Sequence, residues 1–122
     1  MTGELVLVAT PIGNLGDISP RAREALATAD LIACEDSRHS GRLVKHLGIE
    51  SPKYLVVNEH TEHDAARSVV DAIASGKRVA LITDAGTPAV SDPGAVVARA
   101  VIAAGLNVTS TPGPAAFVTA LI

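Results

Sequence analysis

Aromatic side chains are nearly absent from this chain: Tyr54 and Phe117 are the only two in 122 residues, and there is no tryptophan. Stacking on exposed bases therefore has few side chains to work with, and the apolar 48% of the sequence is almost all alanine, valine, leucine and isoleucine. That diet suits parallel strands buried on both faces by helices. A single cysteine, Cys34, excludes an intramolecular disulfide framework and fits a small core residue in a reducing compartment. No run approaches the roughly 18 apolar residues of a membrane span, and the basic start of a secretory signal is missing, so a cytoplasmic protein with no membrane partner is expected. Positive charge is not in excess either. The net charge is −3, and although six of the ten Lys and Arg residues lie between Arg21 and Lys53, five acids share that stretch. No glycine is followed by Lys and then Ser or Thr, which excludes a Walker A loop, and no segment has G-x-G-x-x-G spacing.

What is present is globular in composition and long enough for one core, which can bury roughly two thirds of the surface of the unfolded chain. The hydrophobic period switches repeatedly between short continuous runs and helical spacing. Strands are predicted at Leu5 to Ala9, Leu31 to Cys34, Tyr54 to Val57, Val79 to Thr83 and Asn107 to Ser110. A first helix starts with Ser19 as N-cap and Pro20 at the first helical position and stops near Ala29. A second is expected from about Ser40 to Leu47, closed by Gly48. The third, about Glu62 to Ser75, puts Ala66, Val69, Val70 and Ile73 on one face and stops at Gly76. A fourth is capped by Asp92, opens with Pro93 and ends at Gly105. A fifth begins at about Ala115 with no stop signal, as if the chain ended inside it. This alternation predicts a Rossmann-like three-layer α/β domain with five mostly parallel strands.

Ligands of such sheets bind beyond the carboxyl ends of the strands. The loop after the first strand, Thr10-Pro11-Ile12-Gly13-Asn14-Leu15-Gly16-Asp17, reads either as a tight turn or as backbone that a ligand approaches closely. The loop after the fourth, Thr83 to Gly94, is long and special enough to favour ligand binding, with Asp84 positioned to hold a hydroxyl or amine. Thr111-Pro112-Gly113-Pro114-Ala115-Ala116 is either a rigid turn or a ligand loop leading into a helix N-terminus.

Taken in order, Leu7 to Ile18, Ala33-Cys34-Glu35-Asp36-Ser37-Arg38, Glu59-His60, Thr83 to Gly94 and Pro112-Gly113-Pro114 resemble the ribosomal RNA small subunit methyltransferase I family, within the tetrapyrrole methylase-like superfamily. The likeness covers nearly the whole chain. It implies an S-adenosylmethionine-dependent 2′-O-methyltransferase acting on a cytidine of 16S rRNA, with the cofactor in a cleft between two α/β domains, of which residues 1–122 are the first and the second is absent. Carried over by position, it assigns cofactor contact to Thr10, Pro11, Ile12 and Gly13, to Asp84, Ala85, Gly86, Thr87 and Pro88, and to Ala115 and Ala116.

Methyl transfer to a ribose hydroxyl needs in-line positioning and help with the departing proton. Glu35, Asp36 and Arg38, just after the second strand, form the catalytic candidate set, with Arg38 suited to a phosphate; the alternative is a capped helix start with local ion pairs. His60 and His63, three apart among carboxylates, invite a metal, but acids at the start of the third helix explain them more simply and no metal is expected. Expected partners are 16S rRNA in the small ribosomal subunit and a second copy in a homodimer. A tetrapyrrole or diphthine-type methylase is the nearest alternative enzyme. A non-catalytic binding or dimerisation module is the rival of another class, since half a protein exposes apolar surface that its partner domain would cover.

Overall fold

A computed structural model describes residues 3–10, 18–35, 37–50, 52–84 and 93–111. Along the chain run β1 (Glu4–Thr10), α1 (Pro20–Thr28), β2 (Leu31–Cys34), α2 (Ser37–His46), β3 (Tyr54–Val56), α3 (Glu62–Ala74), β4 (Arg78–Asp84), α4 (Pro93–Ala103) and β5 (Asn107–Ser110). The five strands form one sheet in the order β3-β2-β4-β1-β5, and every pairing is parallel.

Parallel neighbours require crossovers, and crossovers of one hand sort the helices by direction of travel. From β1 to β2 to β3 the chain moves one way across the sheet; from β3 to β4 to β5 it moves back. Helices α1 and α2 accordingly cover one face and α3 and α4 the other. Alternation within the strands feeds both layers. Val6, Val8, Ile32, Cys34, Ala80 and Ile82 pack with Ala22, Ala25 and Leu26 of α1 and Leu43 and Val44 of α2. Leu5, Leu7, Ala33, Val79 and Leu81 pack with Ala65, Ala66, Val69 and Ile73 of α3 and Val97, Ala98 and Val101 of α4.

Helix ends follow local chemistry. The Ser19 hydroxyl accepts a hydrogen bond from the Ala22 amide at 3.1 Å, and Pro20 opens α1, as predicted. Gly48 (φ 75°) stops α2, where its amide donates to the Lys45 carbonyl and that of Ile49 to Val44. On α3 the buried positions are Ala65, Ala66, Val69 and Ile73, with Val70 only partly covered. One boundary differs by more than a residue: α2 begins at Ser37, not at Ser40. Ser40 is 3% exposed and lies inside the helix, and residues 37–39 hold no breaker that would delay the start. The expected cap Asp92 and the helix starting near Ala115 lie outside the described residues. No helix among the described residues is long and apolar enough to cross a membrane.

Candidate active site

At the sheet's carboxyl edge the neighbours β1 and β4 run in register to their last residues, with Thr10 opposite Asp84. The chain leaving β1 must cross to the α1 face, and the chain leaving β4 must cross to the α4 face. Strand order therefore reverses between them, which is the switch point where open α/β sheets bind ligands. The two segments singled out in the sequence for their glycines and small polar residues, 11–17 and 85–92, both depart from this point. Of the predicted cofactor contacts, the backbone positions of Thr10 and Asp84 are described; Pro11, Ile12, Gly13, Ala85, Gly86, Thr87, Pro88, Ala115 and Ala116 lie outside the described residues.

β5 flanks β1 on its other side, pairing Leu7 with Ser110, and the Thr111 amide donates to the Leu7 carbonyl at 3.1 Å. This brings the departure points of three loops, after β4, β1 and β5, onto adjacent strands. Thr111 is 4% exposed, and its hydroxyl oxygen has no hydrogen-bond partner among the described residues. A buried hydroxyl left unpaired costs about 1–3 kcal/mol. Thr111 lines a cavity of about 170 Å³ that runs along the α1 face towards the amino edge of the sheet, where Glu4, Arg78 and Glu24 complete the lining with Val6, Arg21 and Ala25. Sequence reasoning placed Thr111 at the head of the third loop without giving it a role; its position directly before Pro112 was the available signal.

β2 lies on the far side of β4, with Ala33 opposite Leu81, and Glu35 follows it at the same carboxyl edge, exposed. Arg38, also exposed, sits in the first turn of α2. Both thus stand on the rim one strand removed from the β1–β4 crevice, while Asp36 lies outside the described residues. Residues 59–61 form a turn: the Asn58 side-chain carbonyl accepts from the amides of His60 (2.8 Å) and Thr61 (3.1 Å), and α3 follows, with His63 in its first turn. His60 and His63 are exposed, and among the described residues no three His, Cys, Asp or Glu side chains gather as a metal site would require.

The amino edge is tied by structural bonds. Arg78 pairs with Glu4 at 2.7 Å and donates to the Thr28 hydroxyl, while its amide donates to the Asp30 carboxylate. This leaves the carboxyl edge as the one built from loops of special composition.

Comparison with known proteins agrees with this geometry. The chain is 50% identical over 119 residues to "Ribosomal RNA small subunit methyltransferase I" of Xylella fastidiosa, covering 98% of this chain and 43% of that protein. It is 49% identical to the protein of the same name from Haemophilus influenzae, covering 99% of this chain and 42% of the relative. The chain therefore spans less than half the length of these relatives. Among solved structures, diphthine synthase superposes with a TM-score of 0.68 at 17% identity, covering 91% of this chain and 44% of that one. Uroporphyrin III C-methyl transferase from Thermus thermophilus does so at 0.66 and 19%, covering 91% and 48%. At that identity these two neighbours establish the α/β fold. The family model of the Tetrapyrrole (Corrin/Porphyrin) Methylases matches residues 4–121, nearly the whole chain, and the chain belongs to that family.

Proposed function

We propose that these residues form the S-adenosylmethionine-binding amino-terminal domain of a methyltransferase that modifies the ribose 2′-hydroxyl of a cytidine in 16S rRNA, within the small ribosomal subunit of the cytoplasm. The observation that carries the proposal is the pairing of Thr10 with Asp84 at the switch point, which sets the departure points of two glycine-bearing segments side by side. The names of the similar proteins support RNA as the acceptor, and the family is one of S-adenosylmethionine-dependent methyltransferases. The unpaired, buried Thr111 hydroxyl fits a polar cofactor at this edge.

In this proposal Thr10 to Gly13, Asp84 to Pro88, and Ala115 and Ala116 hold the cofactor, and a second domain completes the cleft. When bound, S-adenosylmethionine supplies a methyl group on a positively charged sulfur. The residues of this chain then have two tasks. One is to hold the ribose so that its 2′-oxygen approaches the methyl carbon in line with the breaking sulfur–carbon bond. The other is to receive or relay the hydroxyl proton as the oxygen–carbon bond forms, for which Glu35 and Asp36 are the carboxylates that follow β2. Arg38, with its planar pair of donors, suits a flanking phosphate.

The test is methyl transfer by the complete protein to purified small ribosomal subunits from isotopically labelled S-adenosylmethionine, followed by nuclease digestion and mass mapping. Label on a cytidine ribose is the expected result. Label on a base, or transfer only to a tetrapyrrole or to a modified protein histidine, would replace this proposal with that of a sister methylase. Sedimentation of the complete protein is expected to show the proposed homodimer.

A further inference from the structure

Helix α2 carries features that its packing does not require. Ser40, Leu43 and Val44 are buried beneath it. Arg38, Arg42 and Lys45 are exposed, and together with Ser37 and Gly41 they line a shallow surface depression. Arg38 puts a cation in the first turn, at the positive end of the helix dipole, and no acid occupies that turn. Arg38 and Arg42, four apart, and Arg42 and Lys45, three apart, are like charges on one face, an arrangement that weakens a helix. Among the described residues neither Arg42 nor Lys45 is paired with an acid. Gly41 is a third cost, since glycine inside a helix is less favourable than alanine. Space does not demand it: an added Cβ would meet only the Tyr54 hydroxyl at 3.9 Å, an ordinary van der Waals contact. Lys45 has a local reason, being in the last turn where cations are favoured.

A stretch of helix without a side chain, bordered by cations on successive turns, admits a phosphate close to the backbone. The location suits such a ligand. Helix α2 starts just beyond the carboxyl end of β2, and β2 is separated from β1 by β4 alone, roughly 10 Å at the usual strand spacing. The three cations span about 10 Å along the helix axis. Residues 37–46 contain no acid, so the stripe is locally positive on a chain whose net charge is −3.

We infer that the Arg38–Gly41–Arg42–Lys45 face of α2 is a seat for the sugar–phosphate backbone of the RNA strand whose target nucleotide enters the crevice between β1 and β4. The inference rests on the RNA methyltransferase proposed above. It assigns backbone positioning to α2, with no base selectivity.

The test uses the complete protein, a labelled single-stranded RNA and purified small ribosomal subunits, with salt varied between about 50 and 200 mM. Arg42→Gln combined with Lys45→Gln is expected to weaken RNA binding several-fold. It should also make the slope of log affinity against log salt shallower by about 1.4, the contribution of two single-strand phosphate contacts. KM for the subunits should rise while affinity for S-adenosylhomocysteine holds, and the charge-conserving pair Arg42→Lys with Lys45→Arg should keep RNA binding near that of the unaltered protein. Gly41→Ala is expected to raise the melting temperature and yet weaken RNA binding, a pairing that a purely structural glycine would not give. An unchanged salt slope in the double glutamine variant, or a stabilised G41A protein with undiminished RNA affinity, overturns the seat while leaving the methyltransferase proposal intact. A complete protein that binds S-adenosylhomocysteine but neither binds nor methylates RNA overturns both. Preference of this face for anionic lipid vesicles over RNA also counts against it.

Discussion

Thr111 shows how one side chain can be costly to the fold and useful to a site. Its hydroxyl is buried without a partner among the described residues, so removing it while keeping its shape relieves the fold. Thr111→Val is expected to stabilise the ligand-free domain by about 1 kcal/mol and to weaken S-adenosylhomocysteine about tenfold. Urea unfolding and calorimetric titration read the two effects separately, and loss of stability would mean that the hydroxyl already has a partner. Tyr54 gives a titration with a definite sign. Burial pushes its phenol above the ordinary value of 10.0, and the neighbouring charge of Cys34 adds to this. The folded state thus holds the proton more tightly than the unfolded chain. Its contribution to stability is complete below the unfolded value and is lost as pH climbs through the folded one. Urea midpoints should fall on that alkaline limb, and Tyr54→Phe should flatten the fall.

At the scale of the element, helix α1 depends on its first turn. Ser19 satisfies the Ala22 amide, so Ser19→Ala is expected to cost about 1 kcal/mol, checked by thermal melting. This start was legible in the sequence because cap and proline act through neighbouring residues only. So were the ends at Gly48 and Gly105, and the apolar face of α3. The start of α2 was not, because a serine looks the same whether it caps a helix or is buried within one. What distinguishes Ser40 is the sheet beneath it, which no local pattern contains. The glycines and prolines of the segments proposed to hold the cofactor are equally local signals, though those segments lie outside the described residues. That β1 and β4 end side by side is a property of strand order, and strand order is decided by crossovers and not by the residues of any one strand. The orphaned hydroxyl of Thr111 was hidden on the same account.

The described residues form a sheet covered on both faces, with β3 and β5 at its edges. Among the described residues only Val56 (38%) and Ile102 (39%) are large apolar side chains left exposed, one on β3 and one on α4. They form no patch within a single element to drive association of this domain by itself. The strand order also governs how the chain is made. β1 is flanked by β4 and β5, the two described strands furthest from it along the chain, and Glu4 waits for Arg78, 74 residues later, to complete its pairing. At about 5–20 residues per second, a growing chain carries β1 unpaired for roughly 4–15 seconds. Chains arrested before residue 78 should therefore be digested rapidly by a protease in pulse experiments, and chains that include β4 and β5 should resist it. Leu5 and Leu7, sealed in the finished fold, stand uncovered during those seconds, and a nascent-chain chaperone would find its grip there.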